Sequence, residues 1–139
     1  MRKNLNLIVG LGLLLAVALA CGATTANISS LKLSTDKAGK NETKTFKPGD
    51  EIYTVGQISN NGGKVDVKWR ILYDEGDKAG QLVPGAEKNL EAEGDQPFVF
   101  WITLPSAGFQ NGRYKSEVSM MYSGEQKDQK SATFEVTGY

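Results

Sequence analysis

The chain has 139 residues, 16 basic and 16 acidic side chains, a single cysteine and no histidine. That inventory excludes Ser-His-Asp and Cys-His catalysis, histidine-ligated zinc or haem, and any disulfide within the chain. The balanced charge, with no clustered basic surface, offers no footprint for nucleic acid.

Arg2 and Lys3 precede an uncharged stretch from Leu5 to Ala20 in which Asn6 is the one polar residue. A positive start, a short apolar run and small residues at its end are the pattern of a secretory signal. At 16 residues the run falls short of the roughly 20 needed to cross a hydrocarbon core. Residues 1–20 are therefore expected to be a cleaved export signal.

The run ends Ala18-Leu19-Ala20-Cys21-Gly22, which resembles the lipobox of bacterial lipoproteins. The resemblance implies diacylglycerol on the Cys21 sulfur, cleavage before Cys21, and usually an acyl chain on the new amine. Ala18 stands where a lipobox usually has Leu or Val, and Ala18-x-Ala20 also fits the ordinary signal peptidase, which would release an unanchored protein. The only cysteine lies at the cleavage point, with no disulfide partner in an oxidising compartment, and that favours lipidation. Gly22, in place of the Asp that retains lipoproteins in the inner membrane, implies the outer membrane where the host has one.

Without Arg2 and Lys3 the chain carries 14 basic and 16 acidic side chains, a slightly acidic balance. Residues 21–27 read as the lipidated N-terminus and a short tether, and residues 28–139 as one domain by size. From there the apolar pattern has period two, and turn signals are frequent. Strands are expected over Ile28–Leu33 and, after a polar loop, in a short edge piece over Thr43–Phe46. Lys47-Pro48-Gly49-Asp50 is a turn, because Pro fixes φ at its second position and Gly takes a positive φ at its third. A strand over Glu51–Ser59 is closed by Asn60-Asn61-Gly62-Gly63.

The clearest element is Lys64–Tyr73, in which Val65, Val67, Trp69, Ile71 and Tyr73 alternate with Lys64, Asp66, Lys68, Arg70 and Leu72. One buried and one wet face of an antiparallel sheet follow from that alternation. Residues 78–95 read weakly, with a short strand at Gln81–Val83 and another near Leu90. Strands over Phe98–Leu104, Tyr114–Tyr122 and Lys130–Thr137 complete the chain, with Pro105–Gly112 as a corner.

About seven short antiparallel strands at this spacing predict an all-β sandwich or small barrel. Trp69, with the corner Gly112-Arg113-Tyr114, resembles immunoglobulin-like and fibronectin-III-like modules of bacterial surface proteins. The resemblance implies a seven-stranded antiparallel sandwich whose tyrosine hydroxyl bonds back to the chain just upstream. The cysteine pair of antibody domains is absent, and such a fold carries no function of its own.

No phosphate-binding glycine loop, nucleophile elbow or nucleotide fingerprint is present, so no catalytic residue and no cofactor are expected. The acids Asp74, Glu75 and Asp77, and Glu91, Glu93 and Asp95, do not match the spacing of a calcium loop and read as solvated turns. Asn27-Ile28-Ser29 and Asn41-Glu42-Thr43 fit the glycosylation sequon, a coincidence beside a bacterial lipobox.

One surface is singled out. Ile52, Thr54, Gly56 and Ile58 inward leave Tyr53 and Val55 outward, and Phe98, Phe100, Ile102 and Leu104 inward leave Val99 and Trp101 outward. The two strands are neighbours in an immunoglobulin-like sheet, so the four outward residues are expected to form an apolar patch fit for a partner. The alternatives are that residues 78–95 or the flank of the first strand cover the patch, or that the register differs. The chain thus reads as a non-enzymatic envelope protein, held to the membrane by a lipid and displaying a binding module for a protein or a glycan. An assembly subunit of a secretion, pilus or transport complex is the alternative, and a small periplasmic enzyme or inhibitor a weaker one.

Overall fold

The structure, a computed structural model, describes residues 24–139; the expected signal segment and Cys21 lie outside the described residues. Eight strands and no helix make up the described part: β1 (Asn27–Ser34), β2 (Thr45–Phe46), β3 (Glu51–Ser59), β4 (Lys64–Tyr73), β5 (Leu82–Glu93), β6 (Gln96–Thr103), β7 (Gly112–Tyr122) and β8 (Glu125–Val136). They form two sheets, a three-stranded one in the order β1-β3-β6 and a five-stranded one in the order β2-β8-β7-β4-β5. All pairings are antiparallel except that of the short β2 with β8.

The inward rows of both sheets meet in one core. Ile52 and Ile58 of β3, Phe98 and Phe100 of β6, Val65, Val67, Trp69 and Ile71 of β4, and Val118 and Met120 of β7 are all buried. Trp69 bridges the layers, its indole stacked on Phe100 with ring centroids 5.5 Å apart. Its N–H donates to Ser116 Oγ at 2.9 Å and Thr54 Oγ1 at 3.1 Å, and those hydroxyls bond each other at 2.7 Å. A buried polar group is costly only when unpaired, and Trp69, Thr54 and Ser116 each have a partner in this cluster.

Gly56 occupies an inward position of β3 because nothing larger fits. A Cβ there would run into the Phe98 ring and sit 2.5 Å from the Ser30 carbonyl oxygen. At the entry to β7 the expected corner bond forms: the Tyr114 hydroxyl donates to Gln110 O at 2.9 Å and accepts from Gln110 N at 2.9 Å.

Three expectations need correction. Residues 82–93 form one long edge strand, not two short pieces, and β8 begins at Glu125, because the two-residue turn Ser123-Gly124 closes a tight hairpin on β7. Leu72, expected on the wet face of β4, is buried. A register shift between Arg70 and Leu72 sets it opposite Leu82 of β5.

Candidate functional site

The four singled-out residues stand together on the outer face of the three-stranded sheet. Tyr53 of β3 lies directly opposite Trp101 of β6, and Val55 opposite Val99. Trp101 is 45% exposed, whereas Tyr53, Val55 and Val99 are half-buried. Directly opposed aromatic residues on one sheet face pack on each other, and the Tyr53 and Trp101 rings stack with centroids 6.4 Å apart and planes 27° apart. The Tyr53 hydroxyl donates to Glu51 Oε2 at 2.6 Å. That bond to a carboxylate, with burial as a lesser cause, raises the phenol above its ordinary pKa.

Two features absent from the expected patch frame it. The first is the loop after β1. Asp36 clasps it: one carboxylate oxygen accepts Lys40 N–H at 3.0 Å, and the other accepts Asn41 N–H and the Ser34 hydroxyl. These backbone donors hold the Asp36 carboxyl at about 2. The clasp folds Gly39 down onto the sheet, where its φ of 70° suits glycine. A Cβ at Gly39 would lie 2.6 Å from Lys32 Cε and 3.6 Å from Val55 Cγ1, so the loop roofs the Val55 side of the face.

The second is Lys88. It lies opposite Trp69 in the register of β4 and β5, an inward-phase position, yet it is exposed because β5 is the edge of its sheet. Its ammonium turns out of the seam between the sheets and donates to Trp101 O at 2.9 Å. It also stands 4.6 Å from the centroid of the Trp101 ring. Lys88 thus occupies a carbonyl on the free edge of β6, and an inward charge on an edge strand is a recognised guard against strand-to-strand pairing. Lys88 stands over the indole at the free edge of β6, and Tyr53 stacks on it from the neighbouring strand β3.

The acidic residues serve local structure, and two of those expected in a turn, Glu91 and Glu93, lie instead within the edge strand β5. Glu75 accepts Arg113 N–H at 3.1 Å and pairs with its guanidinium at 3.3 Å. Asp95 Oδ1 accepts Asn61 N–H at 2.7 Å, and Glu91 pairs with Lys64 at 3.4 Å. Among the described residues, no three His, Cys, Asp or Glu side chains are grouped to hold a metal ion.

Neither a protein-family model nor a curated protein matches the chain. In fold it is similar to part of an alkylpurine DNA glycosylase from Pseudomonas fluorescens bound to DNA containing an abasic site analog. That match has 18% identity and a TM-score of 0.54, and covers 87% of this chain and 33% of the other. It is likewise similar to part of a cycloisomaltooligosaccharide glucanotransferase from Paenibacillus sp. complexed with cycloisomaltoheptaose, at 15% identity and a TM-score of 0.53, over 83% of this chain and 15% of the other. At such identities the likeness is one of fold alone.

Proposed function

We propose that this chain is a non-enzymatic, lipid-anchored envelope protein whose immunoglobulin-like sandwich presents a protein-binding surface on the outer face of β1, β3 and β6. Several features support the immunoglobulin-like type. The sheet orders β1-β3-β6 and β2-β8-β7-β4-β5 separate the strands as such modules do, and the tyrosine corner is closed at Tyr114.

The observation that carries the binding surface is Trp101. A tryptophan that is 45% exposed on a strand, held upright by Tyr53 and Lys88, is a preformed anchor of the kind that dominates interfaces. The surface is read as a protein site, because an exposed tryptophan beside a tyrosine is the pairing that anchors protein interfaces. The anchor rests on the Ala18–Cys21 segment.

The test is a photo-crosslinking amino acid at Thr103, which is exposed on the same outer row as Trp101, compared with one at Thr133, exposed on the opposite sheet. Irradiation of intact cells is expected to give a discrete protein adduct from position 103 and none from 133. No adduct at 103, or the same adducts from both sites, would reject the surface. An adduct to a subunit of a larger envelope complex would select the assembly-subunit reading.

A further inference from the structure

We infer that the end of the sandwich where β1 begins rests on lipid headgroups, so that the bilayer surface is the partner of that end and the strands stand away from the membrane. This inference builds on the anchor at Cys21. Its own basis is where the structure holds the start of the chain and how it builds the two ends.

The start is pinned. The Thr25 hydroxyl donates to Asn60 O at 3.0 Å, Ala26 is buried, and Ile28 N–H donates to Asp128 Oδ2 at 2.8 Å. Thr24 therefore has a fixed place beside Gly62, Gly63 and Tyr122, with which it lines a shallow groove. Three extended residues span at most ~11 Å. An acylated Cys21 lies at the boundary of the hydrocarbon, and the headgroup layer above it is ~5–8 Å thick. The groove is therefore held within a few ångströms of the bilayer surface.

The two ends differ as this orientation requires. At the β1 start, every reversal is short: residues 60–63, 94–95 and 123–124. Their small tips let the end approach a surface closely, and Tyr122 is of the type that settles at headgroup depth. The longer connections, 35–44, 74–81 and 104–111, all leave from the opposite ends of their strands. Charge does not drive the contact, since the two lysines of this end are engaged: Lys64 with Glu91 at 3.4 Å and Lys127 with Glu125 at 2.8 Å. The tether alone holds it. Trp101, five residues up β6 from Gln96, would ride roughly 17 Å above the membrane end and face sideways, clear of lipid.

The test uses the lipidated full chain in phosphatidylcholine vesicles carrying a nitroxide-headgroup lipid. A fluorophore is attached at Gly62→Cys, or at Gly63→Cys, both in open space, and at Ala79→Cys in the far loop. Quenching several-fold stronger at the near sites than at position 79 is expected, unchanged by added anionic lipid. Ten Gly/Ser residues inserted after Gly22 should erase the difference. Equal quenching with the native tether, or a difference that survives the insertion, would overturn the orientation while leaving the anchor intact. A mature protein whose mass lacks the diacylglyceryl group would instead remove the anchor, and the orientation with it.

Discussion

Trp69→Ala tests the packing on which the binding face depends. The side chain is 1% exposed, lies parallel to Phe100 and joins Thr54 to Ser116. Truncating such a residue costs ~3–5 kcal/mol in lost burial and cavity formation. Thr54 and Ser116 keep the 2.7 Å bond to each other, so no buried hydroxyl is orphaned and the further polar cost is small. A domain of about 110 residues unfolds with an entropy near 0.23 kcal/mol/K, which turns that cost into a Tm lower by ~13–22 °C. The assay is calorimetry on a Cys21→Ser form lacking the signal, with Lys68→Ala, one residue away on the wet face, as the control. The control should move Tm by less than ~2 °C, the effect of a surface change. Similar shifts from the two substitutions would refute the assignment of faces along β4.

Gly56→Ala should destabilise the domain by ~1–3 kcal/mol in urea unfolding, because its methyl group must displace Phe98 or the backbone at Ser30; a neutral result would show that β1 and β3 are not so close. Asp36 has a folded pKa depressed to about 2, so its contribution is present above the ordinary carboxylate value of ~4 and is lost as pH falls toward 2. The protection factors of the Lys40 and Asn41 amides, taken against their intrinsic exchange rates, should fall over that window in wild type, and in Asp36→Asn they should be low at every pH. Lys88→Ala uncovers the edge carbonyl of Trp101 and should raise concentration-dependent self-association in sedimentation, with little change in Tm.

Much of this arrangement was legible in the residues, and the gaps have physical causes. The inward phases of β3 and β6 followed from alternation with bulky apolar side chains, so the juxtaposition of Tyr53, Val55, Val99 and Trp101 was foreseeable. β5 was not. Its outward face is Glu87, Asn89, Glu91 and Glu93, its inward phase includes Lys88, and Pro84-Gly85 looks like a break. An edge strand protected by charge loses the alternation that would reveal it. The polar first half of β8 was hidden likewise, its strand character coming from the hairpin with β7. The clasp at Asp36 left a trace in Ser34-x-Asp36 with Gly39 close by, a turn-forming set, but its fold over the sheet depends on Lys32 and Val55 beneath it.

The central claim is that Trp101 serves a partner and not the core, and crosslinking yield from position 103 in a Trp101→Ala background tests it most directly. An interface anchor of this kind is worth ≥ ~2 kcal/mol, so the affinity should fall about 30-fold and the adduct should largely disappear. The domain itself should melt within ~5 °C of wild type, since only stacking and cation–π contacts are lost. An undiminished adduct from a folded Trp101→Ala protein would contradict the claim.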